Sequence, residues 1–207
     1  MNRYVMEFIG TFFLTVAISL IGNPIAIGLM LMAMIYVGGH ISGAHFNPAI
    51  SFACFIQKKM NASDMATYVF AQSCGAILAL WFFMILTNNS FTLDMVPGSP
   101  LFGPIAIEAL LVFVLCWVYL TMNVSNRYKD TAIAGIVIGL TLMAIVSAGS
   151  LFNPAVAIAS IVCNALKDGM FSDSSSLIVY IGGPLIGALG ASWIFDYFKP
   201  EVVIVRI

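Results

Sequence analysis

Six stretches of the chain are apolar enough and long enough to cross a lipid bilayer. They cover residues 4–21, 25–41, 65–87, 104–122, 131–148 and 177–198, against the roughly 20 residues a helix needs to traverse the hydrocarbon core. The links between them are short, as at Gly22-Asn23-Pro24. Two further apolar stretches, 47–57 and 153–166, are too short to span. Segments of that length suit re-entrant loops. The pattern predicts an all-α membrane protein with six transmembrane helices and two re-entrant half-helices.

Composition agrees with this reading. Of 207 residues, 61% are apolar and 8% charged, whereas soluble domains run at about 25% charged. A net charge of −1 offers no basic surface for nucleic acid. The early stretch 8–22 lacks a small-residue cleavage site, so it reads as a retained span and not as a leader. Cys54, Cys74, Cys116 and Cys163 each stand alone in an apolar segment. Small buried hydrophobes are the better reading for them than disulfides or a metal site.

Basic residues favour the cytoplasmic side. With the N-terminus inside, Arg3, Lys58, Lys59, Arg127, Lys129, Lys199 and Arg206 all fall inside and Lys167 outside. Both termini are then cytoplasmic, in an integral multi-pass protein of the plasma (inner) membrane. The outer loop, 88–103, holds no Lys or Arg. Asn88-Asn89-Ser90 within it matches a glycosylation acceptor, which matters only on a eukaryotic secretory route.

The halves repeat. YVMEFIGTF (4–12) parallels IAIEALLVF (105–113), GAHFNPAIS (43–51) parallels GSLFNPAVA (149–157), and YVFAQSCGAILALW (68–81) parallels YIGGPLIGALGASW (180–193). The offsets are 101, 106 and 112, so only loops differ. The chain reads as one domain, 1–207, of two repeats at about 1–90 and 104–207. Three spans per repeat place the second half upside down in the membrane, an arrangement common in membrane transport proteins. Glu7 and Glu108 occupy matching positions. A charge within a span needs an interior partner. Their recurrence favours a structural role, accepting backbone N–H groups of the re-entrant loops, over a proton relay. Gly75 with Ala79, and Gly183 with Gly187, are spaced for close helix approach.

Asn47-Pro48-Ala49 and Asn153-Pro154-Ala155 each head a short apolar segment. Asparagine caps a helix through its side-chain oxygen, proline suits the first helical position, and alanine lets two such starts touch. With the oxygens used as caps, the amide NH2 groups are expected to face a lumen between two positive helix ends. A water held through its oxygen by both amides cannot relay a proton, and cations meet a positive field. The motifs predict a path for neutral molecules closed to H⁺ and ions.

MEFIGTF (6–12), HISGAHFNPA (40–49), AQSCGA (71–76), Glu108 and the second FNPA together resemble the aquaporins, the major intrinsic proteins, over nearly the whole chain. The resemblance implies one pore per subunit, a homotetramer embedded in membrane lipids, and passage of water and small neutral solutes (glycerol, urea, ammonia or hydrogen peroxide). It implies no enzyme activity, catalytic residue, metal or cofactor. His45 would prop the first re-entrant loop, and His40 would be structural.

One departure stands out. Family members usually carry arginine directly after the second Asn-Pro-Ala, where this chain has Val156. Family spacing places the rest of the outer filter at Ile27, Thr141 and Ser150. An uncharged ring is expected, wider than in strict water channels, with Ile27 and Val156 facing the hydroxyls of Thr141 and Ser150. Glycerol facilitators usually place aspartate where Ala157 stands, and mercury-sensitive relatives place cysteine where Ser150 stands. Weak mercury block at the filter follows, with Cys54 and Cys163 as residual targets. Three other functions compete. A secondary transporter of a small neutral solute would share the architecture but needs ionisable coupling residues. An intramembrane enzyme needs a nucleophile–base pair or a metal cluster. A non-conducting scaffold can keep every motif.

Overall fold

The computed structural model describes residues 1–93, 100–125, 128, 131–169 and 174–198. Its helices are α1 (Asn2–Val16), α2 (Pro24–Ser42), α3 (Pro48–Ile56), α4 (Ala62–Thr87), α5 (Phe102–Asn123), α6 (Ala134–Ser147), α7 (Pro154–Asp168), α8 (Ser174–Leu177) and α9 (Gly183–Tyr197). A π-helical turn, Ala17–Ile21, continues α1, and another, Ile178–Gly182, joins α8 to α9. Among the described residues, five continuous helices are long and apolar enough to span: Asn2–Ile21, Pro24–Ser42, Ala62–Thr87, Phe102–Asn123 and Ser175–Tyr197.

α6 departs from expectation. The pattern predicts a span over 131–148, yet the helix holds 14 residues, about 21 Å at 1.5 Å per residue. That is shorter than the roughly 30 Å hydrocarbon core. A turn around Thr131 precedes it, and Gly149, at φ +86°, ends it. α7 runs two residues past its predicted end and stops at Gly169, at φ +67°.

Four helices begin at an asparagine whose side-chain oxygen accepts from the backbone of the first turn. Asn23 takes Ile25 N and Ala26 N, Asn47 takes Ala49 N, Asn61 takes Asp64 N, and Asn153 takes Ala155 N. Proline follows at Pro24, Pro48 and Pro154, where its missing N–H costs no hydrogen bond.

The main helix pairs are α1 with α4, α5 with α9, and α2 with α6. Their contacts repeat in detail. A Cβ on Gly75 would overlap the Phe8 carbonyl oxygen, and a Cβ on Gly187 would overlap that of Ala109. The pairs are related by the offsets 112 and 101, so one backbone-to-backbone contact occurs twice. α2 and α6 meet through a mutual version: a Cβ on Gly28 would lie 2.6 Å from Gly139 O, and one on Gly139 would lie 2.8 Å from Gly28 O.

Large apolar side chains such as Phe70, Trp81 and Trp193 point outward, while Glu7, Thr11, Gln72 and Asn153 are fully buried. That inverts the usual soluble arrangement and suits a lipid surround. The two ends differ in charge. Arg3 pairs with Asp64 at the start of α4 (2.7 Å), and Lys167 Nζ donates to Asn88 O just past its end (3.0 Å). The 26-residue helix between them sets these sites about 39 Å apart. Of the other basic residues, Arg127, Lys129, Lys199 and Arg206 lie outside the described residues.

Candidate functional site

The two half-helices α3 and α7 meet head to head through their caps. Asn47 Nδ2 donates to Phe152 O, and Asn153 Nδ2 donates to Phe46 O, each at 2.9 Å. The exchange works because the residue before each asparagine has a left-handed backbone: Phe46 at φ +49° and Phe152 at φ +52°. That conformation costs a non-glycine residue about 1–2 kcal/mol, and here it aims each carbonyl at the opposite amide. The sequence reading left both amide hydrogens of each asparagine to the lumen. One of the two is instead spent across the loops, which leaves one per asparagine for a passing molecule.

Each loop is held by a buried carboxylate. Glu7 Oε1 accepts from Ser42 Oγ (2.6 Å) and His45 N (3.0 Å); its Oε2 accepts from Phe46 N (2.7 Å) and Gln72 Nε2 (2.8 Å). Glu108 Oε1 accepts from Leu151 N (2.7 Å); its Oε2 accepts from Ser150 Oγ (2.8 Å) and Phe152 N (3.0 Å). His45 Nδ1 stands 3.0 Å from Ser51 Oγ, at the first turn of α3. His40 is exposed at the end of α2.

At the positions expected to form the filter, most polar side-chain capacity is already used within the protein. Ser150 Oγ is engaged with Glu108 and accepts from Phe152 N at 3.0 Å, so its hydroxyl belongs to the loop scaffold. Thr141 donates back to Val137 O on its own helix (2.8 Å), leaving only its oxygen lone pairs. Val156 is 0% exposed and Ile27 2% exposed. The neighbouring Gly28–Gly139 approach draws α2 and α6 together beside Ile27 and Thr141. The four cysteines are unpaired: Cys54, Cys116 and Cys163 are buried, and Cys74 is half-buried.

Sequence reasoning missed four residues of this site. Gln72 Nε2 donates to Ser51 Oγ (3.0 Å) as well as to Glu7; a buried amide in an apolar span was the available signal. Ser42 closes the Glu7 cluster. Tyr68 donates to Ser42 O (2.8 Å) and Tyr119 to Gly43 O (2.7 Å). Nothing local marks those two tyrosines, whose targets lie 26 and 76 residues away.

A helical membrane protein organised around two opposed, mutually bonded half-helices is a channel architecture. Residues 1–195 match the family described as "Major intrinsic protein", and the chain belongs to that family. Its members are membrane channels for water and small solutes, not enzymes. The glycerol uptake facilitator protein-like 6 of Lactiplantibacillus plantarum is 34% identical over 216 residues, covering 93% of this chain and 96% of that protein. Nodulin-26 of Glycine max is 28% identical, covering 96% and 78%. The crystal structure of the aquaglyceroporin from Plasmodium falciparum superposes with a TM-score of 0.80 over 95% of this chain and 96% of that one. At 22% identity, that likeness shows the fold.

Proposed function

We propose that the chain forms a passive pore for water and small neutral solutes, with glycerol, urea, ammonia and hydrogen peroxide as candidates. The reciprocal Asn47–Phe152 and Asn153–Phe46 bonds carry this reading. They bring two helix N-termini, each with positive partial charge, to one point, with one amide hydrogen per side free to hold a solute oxygen. Protons and cations are excluded there. The outer filter is Ile27, Thr141, Ser150 and Val156, uncharged, with the Thr141 oxygen as its side-chain acceptor. Glu7, Glu108 and His45 hold the loops. The domain is a pair of inverted repeats, 1–90 and 104–207. It assembles as a homotetramer in the plasma (inner) membrane with both termini cytoplasmic.

Stopped-flow measurements on proteoliposomes with water, glycerol, urea, ammonia and peroxide test this. Linear, bidirectional flux above protein-free vesicles is expected; saturable uptake driven by an ion gradient would establish a transporter instead. Val156→Arg is expected to depress glycerol flux more than water flux. Asn153→Asp removes the donor to Phe46 O and adds a negative charge, so proton or cation leak, or loss of conduction, is expected. Wild-type behaviour of that variant contradicts the proposal.

A further inference from the structure

We infer that the mouth at the Arg3 end contains a capture site for a small neutral solute bearing a hydrogen-bond-accepting oxygen, such as a polyol or an amide of the urea kind. The inference rests on the channel reading above and adds a second point of selection to it. A cavity of about 450 Å³ opens there, lined in part by Ser42, Gly43, His45, Tyr68, Tyr119 and Asn123. One water occupies about 30 Å³ of liquid, so the space accommodates a solute with water around it.

The wall is rigid. The Tyr68 and Tyr119 hydroxyls are spent on Ser42 O and Gly43 O. The His45 ring stands edge-on between them, at 5.1 Å from Tyr68 and 5.5 Å from Tyr119. Gly43 sits at φ +86°, and a Cβ there would lie 3.3 Å from His45 Nε2 and 3.4 Å from the Tyr119 hydroxyl. A side chain there is strained by the backbone conformation and crowded against those two atoms. Against this fixed collar, Asn123 Nδ2 is buried without a hydrogen-bond partner. It lies one helical turn beyond Tyr119 on α5. An amide donor left unpaired is costly; Nδ2 has no exposed surface, so a turn of the Asn123 side chain toward the cavity presents it to a guest's oxygen and removes that cost.

The feature does not follow from the repeat. At the offset of 101 that relates Glu7 to Glu108, Tyr119 corresponds to Ile18 and Asn123 to Gly22, neither of which brings a polar side chain. At the same mouth Arg3 is paired with Asp64 at 2.7 Å and Lys59 adds one positive charge, which favours a guest that presents an accepting oxygen. A solute held here queues ahead of the Asn47–Asn153 point, so the site raises solute flux relative to water.

The test compares water, glycerol and urea permeability of proteoliposomes holding wild-type, Asn123→Leu, Asn123→Asp or Tyr119→Phe protein. Asn123→Leu is expected to lower the glycerol-to-water and urea-to-water ratios about fivefold, the weight of one neutral hydrogen bond, with water flux retained. Asn123→Asp keeps the shape, lacks the amide donors, and covers the case in which the leucine variant does not reconstitute; the same fall in ratio is expected. Tyr119→Phe frees the Gly43 carbonyl and lowers both ratios by a smaller factor. A fall for one solute alone assigns the site to that solute's class. Wild-type ratios in both Asn123 variants overturn the inference and leave the channel standing. A wild-type protein that conducts neither water nor solute overturns the channel reading itself.

Discussion

A carboxylate buried in a bilayer protein persists only when its oxygens are saturated by donors, and the two here differ in how many they have. Glu7 accepts four hydrogen bonds and Glu108 three, the extra one coming from Gln72. At the offset of 112, Gln72 corresponds to Pro184, which has no side-chain donor. Each orphaned buried donor costs about 1–3 kcal/mol. Glu7→Leu is therefore expected to destabilise more than Glu108→Leu, and Glu7→Gln least, because it retains one acceptor oxygen. Thermal unfolding in detergent, followed by size-exclusion chromatography, gives the order; a Glu7→Leu protein melting with the wild type contradicts it. The two glutamates were legible in the sequence as charges at matched repeat positions. The loop N–H groups were expected as their donors; the side-chain partners Ser42 and Gln72 were not, because they reach Glu7 across 35 and 65 residues. The left-handed backbone at Phe46 and Phe152 was equally hidden, since phenylalanine gives no local cue for it.

At the scale of helices, apolar length was enough to locate the spans, and Asn-Pro was enough to start α3 and α7; the same pair at the head of α2 was read only as a link. The ends of α6 escaped, because hydropathy does not register a turn at Thr131 or a break at Gly149. Gly75 and Gly187 were visible through the small residues spaced four from them. Gly28 was not, having Met32 at that spacing, although Gly135 and Gly139 four apart on α6 carried the same signal. The Gly28–Gly139 approach leads to an expected outcome. Gly28→Ala sets a methyl 2.6 Å from Gly139 O and 2.9 Å from Met143 Cβ, closer than side chains pack, so α2 and α6 must separate. Because Ile27 and Thr141 ride on those helices, Gly28→Ala is expected both to lower the melting temperature and to change the glycerol-to-water flux ratio. Gly103→Ala, where a Cβ meets nothing within 4 Å, is the control and leaves both unchanged. A Gly28→Ala protein matching that control shows that the helices are not held by this contact.

For the molecule as a whole, the separation of charge along α4 makes sidedness measurable. Lys59 lines the same cavity as Arg3 and Asp64, and Lys167 sits at the far end beside Asn88. In right-side-out vesicles and a cysteine-free background, Lys167→Cys is expected to react with a membrane-impermeant thiol reagent from outside. Lys59→Cys is expected to react only after the vesicles are opened. The reverse pattern inverts the proposed topology while leaving the fold untouched. The imbalance of Lys and Arg between loops was readable from sequence. The cavity that gathers Lys59, Arg3 and Asp64 was not, because it forms only once α1, α3 and α4 are packed.

The crossed amide bonds also bear on biogenesis. The carbonyl that receives Asn153 belongs to Phe46, and the one that receives Asn47 belongs to Phe152. During synthesis the N-terminal half is made before the partners of its Asn47 amide and its Phe46 carbonyl. Those partners come only with residues made about a hundred positions later. Each half thus supplies the acceptor for the other's asparagine, and a chain truncated between them is expected to lose both crossed bonds.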